Sequence, residues 1–301
     1  MSGRRCAAHA AALLVLVSGL AGSSTAEADP IKTASVELSQ ATLFYREAGK
    51  GRPAVLISAL LIDSRLWLDQ LKGLSAQRRL IAPDLSGFGF SSPMNGDKVS
   101  SQRYADEVIE FLDALRIREP VDFVGLSGGG VIAALICARQ PQRCHSLVPI
   151  STVFTGALDP AGVRYRAENA RTVVIEGKDT LFRRFNEYIV GPGASLTARA
   201  RYRTMLEQTP YESFVAFLTT SEALQLAGVP AQIKVPVMIP VGQGDTVLTP
   251  AMAEKVAKDF PDARVVTLPS AGRLLPLESP EELNRAIAQF WGEIDTRGAA
   301  K

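Results

Sequence analysis

The sequence predicts an α/β fold: a doubly wound, mostly parallel β-sheet with an inserted helical segment. Short, continuously apolar runs recur along the chain, and helical patterns fill the gaps between them. One stretch in the second half of the chain is helical and contains no pattern of a buried strand. The chain has 301 residues, of which 47% are hydrophobic, so it can bury one large core that carries an insertion.

The predicted strands lie at 41–49, 53–58, 79–85, 121–126, 146–151, 235–242 and 263–269. Helical periodicity predicts a helix over 101–117, with Ser101 as its N-cap. A second helix is predicted over 279–294, where Ser279 precedes Pro280 at the first helical position.

The N-terminal segment 1–28 has the pattern of a secretory signal peptide. Arg4 and Arg5 precede an apolar run that is too short to cross a membrane, and small residues around Ala28 fit a cleavage site. We therefore expect a periplasmic or secreted protein with no membrane span after cleavage. The general secretory and twin-arginine routes both stay open.

The mature chain divides into a core, 29–151 with 228–301, and an inserted helical lid at 152–227. The lid is rich in aromatic residues from Tyr165 onward, most of which we expect to pack onto the core. They are Tyr165, Phe182, Phe185, Tyr188, Tyr202, Tyr211, Phe214 and Phe217.

Composition excludes several classes of function. The formal net charge is only +2, which gives no electrostatic basis for binding nucleic acid. No cysteine–histidine cluster has the spacing of metal ligands, and no glycine loop other than the one described next could cradle a phosphate, so we expect neither metal nor cofactor. Cys137 and Cys144 remain in the mature chain either as a disulfide or as two buried thiols; Pro141 between them decides whether the chain curls back.

The stretch from Gly125 to Gly129 reads G-L-S-G-G and matches the pattern G-x-S-x-G. An apolar strand ends just before Ser127 and a helix with small residues begins just after it. This context predicts a nucleophilic serine on a tight strand-to-helix turn. The free backbone N–H of Gly128 at the helix N-terminus would stabilise an oxyanion.

With these motifs the chain resembles the α/β-hydrolase fold superfamily, in its lid-bearing esterase, peptidase and haloperoxidase-like branch. The likeness runs over about 40–295 and includes "LIAPDLSGFGFSSP", the serine turn, "PVGQGDTVLTP" and "LPLESPEELNRAIAQFW" in the family's order. It implies that Ser127 is the nucleophile, that Asp245 is the acid of the catalytic triad, and that the Leu60 N–H completes the oxyanion hole. An ordinary turn or helix-cap role is the alternative for Asp245.

The chain departs from the family at two places. Where the family has Gly-His, this sequence has Gly272 and Arg273. Where the family has His-Gly after the third strand, this sequence has Ser58 and Ala59, and Leu60 is the next residue. Arginine stays protonated and cannot act as a general base, but it can pair with Asp245.

Neither histidine of the chain is expected to replace the missing base. His9 lies in the signal peptide. His145 follows the helix that starts after Ser127, which places it roughly 20 Å away by helix rise, and we expect a surface or loop residue.

Two functions of different class remain. The first is an exported serine hydrolase acting on an ester, amide or lactone with an impaired triad, with Asp159, Glu168 and Glu212 of the lid as unranked candidates for a substitute base. The second is a non-catalytic binding protein that uses the same pocket for a small ester-like or apolar ligand. In such a protein Arg273 either binds a carboxylate or phosphate group of the ligand or pairs with Asp245. In the second case the pocket favours a neutral ligand. A purely structural or interaction domain ranks below both, and the sequence does not determine the oligomeric state.

Overall fold

A computed structural model describes residues 30–94, 100–154, 168, 171–172, 175–177, 179–180, 189–191, 194–219, 226 and 228–299. The predicted signal peptide and much of the predicted lid, including Asp159 and the aromatics Tyr165, Phe182, Phe185 and Tyr188, lie outside these residues.

The described part of the chain forms one eight-stranded sheet with the order β1-β2-β4-β3-β5-β6-β7-β8. The strands are β1 Lys32–Glu37, β2 Thr42–Ala48, β3 Pro53–Ile57, β4 Arg79–Pro83, β5 Val121–Leu126, β6 Cys144–Ile150, β7 Val237–Gly242 and β8 Ala263–Leu268. Only β2 pairs antiparallel with its neighbours β1 and β4; the remaining pairs are parallel. The carboxyl ends of β3 to β8 therefore meet at one edge, where their loops gather.

Helices cover the sheet. The helices whose full length is described are α1 Leu68–Leu74, α2 Ser101–Ala114, α3 Gly128–Arg139, α4 Leu196–Gln208, α5 Tyr211–Thr219, α6 Val229–Gln232, α7 Pro250–Ala257, α8 Leu275–Glu278 and α9 Pro280–Ala299. Further helical residues lie between 168 and 189. Two 3₁₀ turns lie at Ser64–Trp67 and Pro141–Arg143. The predicted doubly wound, mostly parallel sheet is confirmed.

The central strands follow from their composition. Every residue of β3, β5 and β7 is buried, as expected for strands covered by helices on both faces. By contrast, β1 is exposed at five of its six positions and has no apolar pattern, so the sequence analysis did not identify it. The predicted cap of α2 was wrong by one residue: Ser100 accepts from the Arg103 N–H, and Ser101 is the first helical residue.

Cys137 and Cys144 form a disulfide. The helix α3 ends at Arg139, and the 3₁₀ turn at Pro141–Arg143 brings the chain back into β6. The Cα atoms consequently lie 5.1 Å apart, and both cysteines are buried. The turn at Pro141 decides between the two alternatives that the spacing left open.

Helices α4 and α5 lie between β6 and β7 in the chain, inside the segment 152–227. Two hydrogen bonds attach their junction to loops at the carboxyl edge of the sheet. Thr209 Oγ1 donates to the Leu61 carbonyl at 2.5 Å, and Ser213 Oγ donates to the Gly87 carbonyl at 2.7 Å. That this segment acts as a lid stays a prediction.

Candidate active site

Ser127 occupies a strained turn between β5 and α3. Its φ of 52° and ψ of −114° lie in a region that non-glycine residues rarely adopt, which costs on the order of 1–3 kcal/mol. Hydrogen bonds hold this conformation: the Ser127 N–H donates to the Ile150 carbonyl at 2.9 Å, and Thr152 Oγ1 donates to the Ser127 carbonyl at 3.2 Å. The turn raises the Ser127 hydroxyl at the N-terminus of a helix of 12 residues.

The glycines around Ser127 are required by close backbone contacts. A Cβ on Gly125 would lie 2.4 Å from the Gly129 carbonyl oxygen, and a Cβ on Gly129 would lie 2.2 Å from the Ile57 carbonyl oxygen. Any side chain at these positions would push α3 away from the end of β3. The pattern G-x-S-x-G is thus a packing requirement of the turn as well as a chemical motif.

The backbone segments of Leu60 and Gly128 lie side by side, as the predicted oxyanion hole requires. A Cβ on Gly128 would be 3.7 Å from the Leu60 nitrogen and 3.1 Å from Leu60 Cγ. The next residue, Leu61, has a φ of 77°, an unusual conformation for a leucine, and its carbonyl accepts the hydrogen bond from Thr209. Strained backbone therefore occurs both at Ser127 and at Leu61, next to Leu60.

Asp84 fixes the loops beside Leu60. The fully buried Asp84 carboxylate accepts from the Ser64 N–H at 2.7 Å and from the Phe90 N–H at 2.9 Å. Burial raises the pKa of Asp84 above its ordinary value, against the lowering effect of its hydrogen bonds to Ser64 and Phe90. Sequence reasoning noted the A-P-D segment but missed this role, for which the aspartate after β4 was the only signal.

Asp245 makes the contacts of a turn residue and a contact with Arg273. Its Oδ1 accepts from the Val247 N–H at 2.8 Å and the Leu248 N–H at 3.0 Å, which forms the turn after β7. Its Oδ2 lies 3.5 Å from Nη1 of Arg273, and its side chain is fully buried. Asp245 thus serves as a turn residue and also faces the Arg273 guanidinium.

Arg273 lies between Asp245 and Ser127. Its Nη2 donates a hydrogen bond to Ser127 Oγ at 2.9 Å, while Nη1 faces Asp245. Its side chain is only 11% exposed. The structure therefore brings Arg273 together with Ser127, which is 146 residues away along the chain, and with Asp245, which is 28 residues away.

Glu278 positions the loop that carries Arg273. Its Oε2 accepts from the Gly272 N–H at 2.7 Å, and its Oε1 accepts from the Leu274 N–H at 2.9 Å and the Gly191 N–H at 3.3 Å. One carboxylate thus ties both neighbours of Arg273 to the segment between β6 and β7. Sequence reasoning missed Glu278; the signal was an acidic residue at the end of the "LPLE" segment.

His145 lies at the opposite end of the sheet from Ser127. The parallel register pairs Val121 with Cys144 at the amino ends of β5 and β6, whereas Ser127 follows the carboxyl end of β5. The prediction of a loop residue was wrong, because His145 belongs to β6; its side chain is 25% exposed, and its Nδ1 lies 2.6 Å from Oδ1 of the buried Asp122. His145 is therefore a partly exposed partner of the buried Asp122 and lies away from the serine.

The arrangement around Ser127 can stabilise negative charge but supplies no base from position 273. A guanidinium has donors only and stays protonated at any working pH.

In the part of the chain that the structure describes, no group of three or more histidine, cysteine or acidic side chains is arranged to hold a metal ion. No helix within those residues is long and apolar enough to span a membrane.

Residues 52–280 match the profile of the family described as "alpha/beta hydrolase fold". The chain belongs to the α/β-hydrolase family. It is similar to 2-hydroxymuconate semialdehyde hydrolase of Pseudomonas putida, 26% identical over 73% of this chain and 79% of that protein. It is also similar to (E)-2-((N-methylformamido)methylene)succinate hydrolase of Acinetobacter baylyi, 25% identical over 84% and 94%.

Solved structures agree with the α/β-hydrolase assignment. A malate-bound thermophilic esterase from Thermogutta terrifontis superposes with a TM-score of 0.81, at 24% identity, over 87% of this chain and 99% of that one. A hydrolase from Pseudomonas aeruginosa gives a TM-score of 0.76 at 28% identity, over 86% and 98%. The relatives named here are hydrolases, so a hydrolase is the activity that family membership makes plausible.

Proposed function

We propose that this chain is an exported acyl hydrolase in which Ser127 is the nucleophile and the substrate is an ester, amide or lactone. The observation that carries the proposal is the position of Ser127 Oγ: at the N-terminus of α3, on a strained turn, within 2.9 Å of Arg273. Strain of this kind is maintained where a reactive group must be presented. The backbone N–H groups of Gly128 and Leu60 would bind the oxyanion of the tetrahedral intermediate.

The proposed enzyme has an impaired triad. Asp245 supplies the acid, but Arg273 cannot remove the proton from Ser127. Loss of a triad member typically lowers the rate by several powers of ten, and binding together with the oxyanion hole provides the rest. Of the candidate substitute bases, Glu168 and Glu212 are both exposed to solvent. The third candidate, Asp159, lies outside the described residues. Attack by Ser127 then depends on hydroxide or on one of these carboxylates.

A second candidate function is binding without turnover. The hydrogen bond from Arg273 to Ser127 favours it, because a cation and a hydroxyl at a helix N-terminus suit a carboxylate or phosphate. Two hydrolases similar to this chain are named for compounds derived from muconate and succinate, which carry carboxylates. The ligand under this proposal is a small carboxylate.

We also propose that the protein is exported after cleavage near Ala28 and that 152–227 covers the site as a lid. The Cys137–Cys144 disulfide supports export, since disulfides persist in oxidising compartments. The hydrogen bonds from Thr209 to Leu61 and from Ser213 to Gly87 support the lid, since they attach this segment beside Leu60.

The first test is hydrolysis of a small activated acyl ester by the mature chain, 29–301, and by Ser127→Ala. The exposed Ser39, on the loop between β1 and β2, offers a matched control as Ser39→Ala. We expect hydrolysis above the background rate that disappears in Ser127→Ala and persists in Ser39→Ala. Equal rates in all three proteins would contradict the hydrolase proposal.

The binding alternative has its own readout. Succinate and phosphate are titrated against the thermal midpoint of the mature chain and of Arg273→Gln. A ligand at about 100 times its Kd raises the midpoint by about 5 °C in a protein of this size. An inert mature chain whose midpoint rises, with no rise in Arg273→Gln, would support binding over turnover.

A further inference from the structure

The described contacts of the Ser127 hydroxyl place a permanent cation beside it. Nη2 of Arg273 donates to Ser127 Oγ at 2.9 Å, and the Arg273 side chain is only 11% exposed to solvent. A guanidinium stays protonated at any working pH, so it neither accepts the serine proton nor delivers a proton to a departing group. It can only donate hydrogen bonds and balance negative charge.

This limits the step in which the leaving group departs. In acyl transfer, Ser127 Oγ bonds to the carbonyl carbon, and the bond from that carbon to the leaving oxygen then breaks. A histidine at position 273 would protonate the leaving oxygen as it departs. Since Arg273 cannot, the leaving oxygen takes the electron pair and departs as an anion. It departs next to the guanidinium, because the leaving oxygen and Ser127 Oγ are bonded to the same carbon.

We propose that the site accepts acyl donors whose leaving group is a weakly basic oxyanion, such as aryl esters, enol esters and acyl phosphates. The inference rests on the proposed function of Ser127 as nucleophile. The step balances with hydroxide as the base: hydroxide takes the Ser127 proton and becomes water, the Oγ–carbon bond forms, and the carbon–oxygen bond to the leaving group breaks. Arg273 forms an ion pair with the released anion.

The same restriction slows the second half of the reaction. Hydrolysis of acyl-Ser127 must expel the serine oxygen, which is a strongly basic alkoxide, and no histidine protonates it. Position 273 also supplies no base for the attacking water. Acyl-Ser127 therefore accumulates, and the protein releases one equivalent of leaving group rapidly and further equivalents slowly.

The experiment uses the mature chain with a series of substituted phenyl acetates whose phenols differ in acidity. Release of phenol gives the acylation rate, and intact-protein mass spectrometry with peptide mapping locates the acetyl group. Four variants accompany the wild type: Ser127→Ala, Arg273→Gln, Arg273→Lys and Arg273→His. Lysine keeps the cation and glutamine removes it, so the pair separates charge from a loss of packing.

We expect the wild-type acylation rate to fall by up to about tenfold for each unit by which the phenol pKa rises, with an acetyl group on Ser127. Arg273→Gln should acylate more slowly, most of all with the least acidic phenols, whose anions most need the cation, while Arg273→Lys keeps the wild-type dependence. Arg273→His should show a shallower dependence and no lasting adduct, because its imidazole can protonate the leaving oxygen.

Two failures are distinguishable. If Ser127 is acylated at a rate that does not depend on phenol acidity, or if Arg273→Gln matches the wild type throughout, the inference is overturned while Ser127 remains the nucleophile. If no ester in the series acylates Ser127 and release is unchanged in Ser127→Ala, the proposed function itself is overturned.

Discussion

The guanidinium of Arg273 connects Ser127 to Asp245. Nη2 donates to Ser127 Oγ at 2.9 Å, and Nη1 lies 3.5 Å from Asp245 Oδ2. A histidine oriented by an acid makes the same connection in a serine hydrolase, but it can exchange a proton with the serine. Arg273 therefore makes the contacts of such a histidine but cannot exchange a proton, and this difference leads to two predictions.

Arg273→His should raise Ser127-dependent ester hydrolysis at neutral pH. The imidazole would lie in the place of the guanidinium, between Asp245 and Ser127, and a positioned general base contributes typically 10²- to 10⁴-fold. We expect a rise in kcat/KM of about 100-fold, measured with an activated ester. The double variant Ser127→Ala/Arg273→His is the control and should be inactive; a rise that survives in it would assign the activity to another residue.

The pH dependence of the wild type should lack a plateau near neutrality. With hydroxide as the base, log kcat/KM rises by about one unit per pH unit between about pH 6 and 9, whereas Arg273→His levels off above the pKa of its imidazole, about 6.5. Initial rates in buffers of constant ionic strength measure both profiles. A wild-type plateau near neutral pH would reveal a titrating base elsewhere in the protein.

The sequence predicted those parts of the fold and site that depend on local pattern. The apolar runs at 53–58 and 121–126 became β3 and β5, because strands buried on both faces need continuous apolar sequence. The turn at Ser127 could be predicted from the sequence, because close backbone contacts require glycine on both sides of it. By contrast, the exposed β1 has no apolar periodicity to detect.

Features that depend on distant partners were not predictable in this way. His145 is joined to Asp122, which is 23 residues away, by the parallel pairing of β5 with β6. The sequence predicted the pairing of Arg273 with Asp245, but not the hydrogen bond from Arg273 to Ser127, because the path of a long flexible side chain is set by its surroundings. Glu278 was missed because its three partners are backbone N–H groups, which every residue type except proline carries and which therefore leave no pattern in the sequence.

Glu278→Gln should loosen the loop around Arg273. A neutral amide offers one acceptor oxygen and turns an NH₂ group toward backbone donors, so at least one of the N–H groups of Gly272, Leu274 and Gly191 loses its partner. We expect a loss of about 1–3 kcal/mol in the free energy of unfolding, measured with urea, and slower acylation of Ser127.

The exposed Glu281, at the start of α9, provides the matched control. Glu281→Gln should change the free energy of unfolding by less than about 0.5 kcal/mol and leave acylation unchanged. Equal effects of the two substitutions would show that Glu278 has no special part in positioning Arg273.

A second set of charges stabilises the far end of the sheet. The fully buried Asp122 accepts from Arg78 Nε at 2.7 Å and from Ser146 Oγ at 2.6 Å, and lies 2.6 Å from His145 Nδ1. Burial raises the pKa of Asp122, but the hydrogen bonds from His145, Ser146 and Arg78 outweigh burial, so the pKa lies below its ordinary value.

The lowered pKa of Asp122 predicts a loss of stability in acid. A carboxyl whose pKa is lower in the folded protein stabilises the fold fully above its unfolded pKa, about 3.9, and this contribution is lost as the pH falls toward the folded value. Asp122→Asn should cost about 3–5 kcal/mol at pH 7, since the buried Arg78 loses its buried carboxylate and keeps only the half-exposed Asp295 as an anionic partner, and should flatten the decline below about pH 4. Urea unfolding from pH 7 to 3 measures both the cost at neutral pH and the slope in acid.

Asp106→Asn is the control: Asp106 is 58% exposed in its pair with Arg139, so its removal should cost less than about 1 kcal/mol. An Asp122→Asn protein that declines below pH 4 as steeply as the wild type would place the acid-sensitive group elsewhere.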